Sequence, residues 1–354
     1  MTLRRLQISE FRCLHATELE LDPHFTLISG PNASGKTSLL EAIYVLSRGR
    51  SFRTRHLNHL IRTGADRFVV FGEASVGDRR VSAGVEGSTN GVRAKINGER
   101  VSSLGELAAV LPVQVIDPEV HRLIEEGPSR RRRFLDWGVF HVEQGFLVQW
   151  QRYQQALKQR NAALRARQSR AVIASWDNEL VALGELISAA RTRYLIDLAS
   201  MVRGIAQRLL GSEVTLGYRA GWSKDESFGE ALELNFVHDQ EAGATQVGPH
   251  RAEMTIRLDG RPVKDWISRG QQKLLASTLL LAQLNLLPQD SGALPILLLD
   301  DPAAELDGDR LVELIREVTH RSVQLVVTSL FSEFAAFGTP GCRYSINAGK
   351  VSPG

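Results

Sequence analysis

The chain is 354 residues long, 43% hydrophobic and 23% charged, and its 30 glycines and 12 prolines show neither period nor clustering. This excludes wholesale disorder and collagen-like repeats, and leaves room for two or three domain-sized units. The formal charge is only +3 on 43 basic and 40 acidic residues, so the distribution of charge carries more information than its sum.

In chain order, Leu3–Ile8, Ala16–Leu21 and Phe25–Ser29 read as strands, and Thr37–Ser47 as a helix with Leu39, Leu40, Ile43 and Leu46 on its apolar face. Phe68–Glu73, Arg80–Val85 and Ala94–Ile96 read as further strands with a turn at Asn97-Gly98, and Val113–Ile116 as a short strand closed by Asp117-Pro118. From about Arg130 to Leu210 apolar residues such as Phe134, Val139, Leu157, Leu183 and Leu198 recur at helical spacing, without the sustained heptad of a coiled coil. Strand and helix then alternate: Met254–Leu258, Gln271–Leu287, Leu294–Leu299, Arg310–Thr319 and Val323–Thr328. No internal repeat is present. The two cysteines, Cys13 and Cys342, supply neither a disulfide framework nor a four-ligand zinc site. The N-terminus lacks the apolar core of a signal peptide, and no apolar run is long enough to span a bilayer. A cytoplasmic protein with no membrane partner is expected.

Gly30-Pro31-Asn32-Ala33-Ser34-Gly35-Lys36-Thr37 fits G-x4-G-K-[ST] between an apolar strand and a helix, the context of a phosphate-binding loop. The glycines let successive N–H groups turn toward phosphate oxygens, and the helix N-terminus adds partial positive charge. Lys36 is expected on the β- and γ-phosphates of ATP, and the Thr37 hydroxyl on Mg2+. Pro295–Leu299 is a continuous apolar run ending in Asp300-Asp301, which suits a central parallel strand with acids at its ligand-binding edge. Asp300 is then the Mg2+ ligand, and Asp301 orients or deprotonates the attacking water. About thirty residues earlier, Ser268-Arg269-Gly270-Gln271-Gln272-Lys273 opens a helix. Ser268, Gly270 and Gln271 can read phosphate from a second subunit, and the plain alternative is that Ser268 caps its own helix.

Together these stretches resemble the ABC-type ATPase heads of the SMC and repair-ATPase superfamily and, within it, the RecF family of bacterial recombinational repair. The likeness runs through essentially the whole chain. It includes Phe11-Arg12, Arg50-Ser51-Phe52-Arg53, the segment Gly127–Trp137, Lys158-Gln159-Arg160-Asn161 and Gly248-Pro249-His250-Arg251. It implies an α/β fold: a P-loop ABC/SMC-type head formed by residues 1–126 and 244–354, with a mainly helical lobe, 127–243, inserted as a shortened counterpart of SMC coiled-coil arms. It also implies ATP and Mg2+ as cofactors, an ATP-sandwiched homodimer on single-stranded, gapped or junction DNA, and RecR and RecO as partners in placing recombinase. Roles in replication and SOS induction and a weak, DNA-stimulated ATPase belong to the same expectation. Asp307 falls on the family's subunit-interface loop, and Gln114 is its candidate Q-loop residue. Asp301 stands where transporter ATPases carry Glu, and its shorter reach to water leads us to expect slow turnover.

Arg50, Arg53 and Arg55 follow the phosphate-loop helix, and Arg130, Arg131, Arg132 and Arg133 form an unbroken run. These are the DNA-contact candidates; Glu125, Glu126 and Asp136 are competing partners for the run, whose charge a helix splays around its circumference. No zinc finger or RRM-like aromatic motif is present, so sequence-independent phosphate contacts are expected. His250 is singled out by its motif, the other histidines having no metal-ligand spacing. A transporter ATPase subunit is the alternative, disfavoured by the absence of Leu-Ser-Gly-Gly-Gln, of an Asp-Glu strand end and of a switch histidine. A small-molecule P-loop kinase leaves Ser268–Lys273 unexplained.

Overall fold

The computed structural model describes residues 2–76, 79–288, 294–304, 308–319, 321–330 and 337–354. Contacts divide the chain into two compact units, one made from both ends (Met1–Val120 with Pro288–Gly354) and one from the middle (His121–Leu287). The division expected from the motifs, 1–126 with 244–354 around 127–243, follows chemistry along the chain, whereas the compact units follow packing; residues 244–287 pack with the middle unit.

The first unit holds two six-stranded sheets. In one, Thr2–Phe11 pairs antiparallel with Leu14–Glu20 and Arg67–Val76, and Arg79–Ser88, Gly91–Ile96 and Glu99–Arg100 extend it in turn. Its side chains alternate: Phe68, Val70, Ala83, Val85 and Ala94 are buried on one face. Asn97 and Gly98 take φ of 50° and 83°, the pair of left-handed residues that a tight hairpin demands.

The second sheet runs Lys350–Pro353, Cys342–Asn347, Phe25–Ser29, Gln324–Ser329, Ile296–Asp300, Val113–Ile116, all parallel except the first, a hairpin partner at the edge. Its inner strands are buried along nearly their whole length, and Ile296–Leu299 is a continuous apolar run, as suits strands covered on both faces. Helix Lys36–Arg48 packs Leu39, Leu40, Ile43 and Leu46 into a core that includes Leu3, Leu6, Phe68 and Val85 of the first sheet and Ile28, Leu298 and Val326 of the second. Each such fully buried leucine contributes about 1.5–3 kcal/mol. Gly72 permits the close approach, since a Cβ there would lie 2.5 Å from Leu46 Cδ2.

The second unit contains helices Pro128–Val142, Phe146–Arg165, Asp177–Leu210 and Arg269–Asn285, with a three-stranded sheet of Arg261–Pro262, Glu253–Leu258 and Val214–Arg219. Two arginines are fully buried in it. Arg160 donates to Asp177 at 2.7 Å, Asp239 at 2.6 Å and Thr245 at 2.8 Å. Arg191 forks onto Asp136 at 2.7 and 3.0 Å, donates to the Pro249 carbonyl at 2.7 Å and lies over the Trp150 ring. The family-like segments around Asp136, Arg160 and Pro249 thus meet as one buried polar framework. His250 joins it through Tyr153 Oη at 2.7 Å and the Thr245 carbonyl at 3.0 Å. Among the described residues no helix is long and apolar enough to cross a membrane.

The elements depart from expectation in a few places. Val214–Arg219 is a strand inside the segment expected to be mainly helical, because it pairs with Glu253–Leu258 along its whole length. The C-terminal hairpin Cys342–Asn347 and Lys350–Pro353 and the short helices Gly105–Val110, Phe228–Leu234 and Phe236–Ala242 carry no periodicity strong enough to announce them.

Candidate functional site

The phosphate loop leaves strand Phe25–Ser29 and enters helix Lys36–Arg48 with two left-handed residues, Ala33 at φ 61° and Gly35 at φ 113°. Gly30 has no room for a side chain, because a Cβ would stand 2.2 Å from the Ile346 carbonyl oxygen. Gly30 N donates to the Ser329 carbonyl at 3.1 Å, and Gly349 N donates to the Ser34 carbonyl at 2.8 Å. The C-terminal strands therefore brace the loop from both sides.

The loop opens into a cavity of about 340 Å3, lined by residues 32–38, by Asp300 and Asp301, and by Cys13, Arg53 and Pro118. A larger groove of about 640 Å3 lies between Arg4, Arg5, Glu18 and Asp22 on the same unit. Its Arg5 and Glu18 already pair at 2.5 Å and it has no phosphate loop, so the smaller cavity is the chemical one. Lys36 Nζ donates to the carbonyls of Gly30 at 2.6 Å and Pro31 at 3.0 Å, which holds the ammonium across the loop. Ser34 is buried and its hydroxyl has no hydrogen-bond partner. An orphaned hydroxyl beside a lysine and a helix N-terminus fits a phosphate oxygen.

Thr37 Oγ1 donates to Asp300 Oδ2 at 2.8 Å, and Thr328 Oγ1 donates to Asp300 Oδ1 at 2.7 Å. A hydroxyl and a carboxylate in contact at the cavity wall are a hard-oxygen donor pair of the kind Mg2+ takes together with phosphate and water. Thr328 Oγ1 also accepts from Asp301 N at 3.0 Å, fixing Asp301 in a left-handed conformation with φ 45°. Burial raises the Asp301 carboxyl above its ordinary range; Lys36 pulls against this, and Asp300 adds to it. Thr328 was not singled out in the sequence. Its only signal was its place at the carboxyl end of a strand beside the acidic one.

A second network lies behind the loop. Glu41 is fully buried and accepts from Arg12 Nε at 2.8 Å and Nη2 at 2.7 Å. It also accepts from the Ser51 hydroxyl and from Arg53 Nη1 at 3.4 Å. Ser51 Oγ in turn accepts from Arg53 N at 2.8 Å and Thr54 N at 3.0 Å. Arg53, a DNA-contact candidate, lines the phosphate-loop cavity and is exposed there, as Arg50 and Arg55 are exposed outside it.

The arginine run is engaged within its own unit. Arg130 pairs with Glu126 at 2.8 Å, Arg131 with Glu253 at 2.7 Å, and Arg132 donates to the Ala252 carbonyl at 2.8 Å. Arg133 donates to Ser129 Oγ at 2.9 Å and is exposed. Burial, with the neighbouring charge of Arg191, holds Arg132 below the ordinary guanidinium range. Ser268 caps its helix by accepting from Gln271 N at 3.3 Å, while Gln271 Oε1 accepts from Ser268 N at 2.9 Å. Ser268, Gly270 and Gln271 are all exposed. Gln114 is buried in strand Val113–Ile116 and does not line the cavity. Asp307 lies outside the described residues.

Residues 2–342 match the family model described as the RecF/RecN/SMC N terminal domain. The chain is 40% identical to the DNA replication and repair protein RecF of Yersinia enterocolitica, over 99% of this chain and 98% of the relative. It is 41% identical to that of Cronobacter sakazakii, over 99% of this chain and all of the relative. Among solved structures it is similar to the recombination mediator protein RecF with ATP in the RecFOR pathway, with a TM-score of 0.89, 27% identity and coverage of 99% and 97% of the two chains. An SMC head domain with an extended coiled coil from Pyrococcus furiosus shares the fold, with a TM-score of 0.61 at 16% identity, covering 99% of this chain and 95% of that one. These relatives are replication and repair proteins, not transporter subunits. The chain belongs to the RecF family, within the wider RecF/RecN/SMC group.

Proposed function

We propose that the protein is an ATP-switched DNA-binding protein of recombinational gap repair, which closes as an ATP-sandwiched homodimer on single-stranded, gapped or junction DNA and assists recombinase loading. The observation that carries this reading is the cavity in which Lys36, Ser34 and Thr37 meet Asp300, Asp301 and Arg53. A bound Mg2+, held by Thr37 and Asp300, supplies charge neutralisation at the phosphates. The loop N–H groups and Lys36 bind the phosphate chain, and Asp301 orients water. Ser268, Gly270 and Gln271, exposed at one helix N-terminus, read the phosphate bound to the second subunit, so that residues 244–354 act with 1–126 as the head around the lobe 127–243. The reading extends to a slow, DNA-stimulated ATPase, to partnership with RecR and RecO, to roles in replication and SOS induction, and to a cytoplasmic setting. RecF relatives at about 40% identity over the full chain support it.

Binding to a gapped duplex with ATP, ADP or a slowly hydrolysed analogue tests it, with solution mass recorded in the same samples. ATP is expected to drive both dimerisation and tight binding, and Lys36→Arg and Ser268→Ala to abolish the gain. Nucleotide-independent binding by a monomer overturns it.

A further inference from the structure

The antiparallel sheet of the first unit has an outward face whose composition is uneven. Register places Gln7, Phe71, Gly84, Lys95 and Arg100 side by side across five strands. Ala83, Val85 and Ala94 point into the core, so their neighbours Gly84, Arg93 and Lys95 point away from it. Glu18, at one side of this face, takes Arg5 and Gln7, and Glu86, which stands opposite Arg93 in register, takes Arg67. At the other side Arg93, Lys95 and Arg100 are exposed, and among the described residues no acid pairs with them. Phe71 is partly exposed between the two regions. Its ring lies beside Gly84, where a Cβ would stand 3.6 Å from Phe71 Cδ2, and no second aromatic ring of the described residues packs on it.

We infer that this face is a single-strand platform, on which Phe71 stacks an unpaired base while Arg93, Lys95 and Arg100 follow the phosphates. The ring of a partly exposed phenylalanine is a surface on which an unpaired base can stack. Unpartnered cations two and three strands away suit the backbone of the same strand. Small residues between them, Gly84 and Ser82, keep the approach open. No sequence motif marks this surface, since the aromatic and the cations belong to separate strands and meet only through register. The inference rests on the proposed DNA-binding role and names the surface that reads the unpaired part of a gap.

Equilibrium binding of the full-length protein with a slowly hydrolysed ATP analogue tests it, on an oligothymidylate, a gapped duplex and a blunt duplex. Phe71→Leu keeps an apolar cover over Gly84 but removes the π face. It is expected to lose about tenfold or more on the oligothymidylate while retaining blunt-duplex affinity, with circular dichroism verifying the fold. Lys95→Gln with Arg100→Gln is expected to lower the single-strand salt slope by about 0.7 per charge. A 5-iodouracil strand should crosslink at Phe71. The platform is overturned if wild type binds gapped DNA in a nucleotide-dependent way and Phe71→Leu matches it on single strands. It is overturned equally if the Lys95 and Arg100 substitutions leave the salt slope unchanged, which would assign the face to an acidic protein. Absence of nucleotide-dependent DNA binding by wild type removes the functional reading and the platform together.

Discussion

Arg53 reaches from the mouth of the phosphate cavity to Glu41, 3.4 Å away inside the helix that carries the phosphate-binding lysine. On the proposed reading, one guanidinium faces two claimants, a buried carboxylate and the phosphates of a nucleotide. Its loop also holds the exposed Arg50 and Arg55. Arg53→Ala is expected to weaken ATP affinity about tenfold, the size of one lost charge-assisted contact. With its side chain 44% exposed, the ion pair contributes less than about 1 kcal/mol to stability. Isothermal titration and urea unfolding of the same variant separate the two effects; a large loss of stability without loss of ATP affinity contradicts the assignment.

Glu41→Gln is the opposite case. It leaves Arg12 facing a neutral amide in a site where the carboxylate is fully buried. Removing one partner of such a pair costs about 3–5 kcal/mol. Urea unfolding should show a lowered midpoint with an unchanged slope, and a shift under about 1 kcal/mol would place the Arg12 charge in water instead.

The proposed role of Asp301 in orienting water predicts an acid limb in turnover. Burial holds its carboxyl above the ordinary aspartate range, Lys36 opposing and Asp300 reinforcing. Activation of water requires the deprotonated form, so steady-state phosphate release should fall as pH drops through a value above that range. Asp301→Asn should reduce turnover by about 10²-fold or more, abolish the limb and keep ATP binding. A pH profile identical to wild type assigns the base elsewhere.

His250 predicts a second pH effect, in stability. Burial lowers its imidazole from 6.5 to about 4, the Thr245 carbonyl opposing and Arg251, Arg132 and Arg191 reinforcing. The unfolded chain therefore takes up a proton that the folded one refuses. Stability attributed to this group is intact above pH 6.5 and declines as pH falls toward 4, by at most about 3 kcal/mol. Urea unfolding from neutral to mildly acidic pH should be steeper in wild type than in His250→Gln. Parallel curves for the two proteins assign the acid sensitivity to other groups.

The phosphate loop and its acidic strand were legible in the sequence because the chemistry demands particular residues at fixed spacing. Gly30 and Gly35 are required by backbone approach, and strands Phe25–Ser29 and Val113–Ile116 were read with the bounds they have. The arginine run was not legible. Local charge density says nothing of Glu253, which takes Arg131 from 122 residues away. The contacts of Arg53 with Glu41 and of its N–H with Ser51 are likewise an arrangement that no local pattern encodes. Thr328 is one threonine among several until the parallel pairing with Ile296–Asp300 sets it beside Asp300 and Asp301.

The brace between Gly349 N and the Ser34 carbonyl has a consequence for biosynthesis. Strand Phe25–Ser29 is translated long before both of its sheet neighbours, Gln324–Ser329 and Cys342–Asn347. The middle unit, contiguous in sequence, completes first. Until the last strands arrive, the nascent phosphate loop lacks the partners that shape it and an apolar strand edge waits unpaired, a natural client for a chaperone. On the proposed reading, nucleotide binding waits for those strands, and a chain terminated before them is expected to carry the phosphate-loop sequence without the fold that holds phosphate.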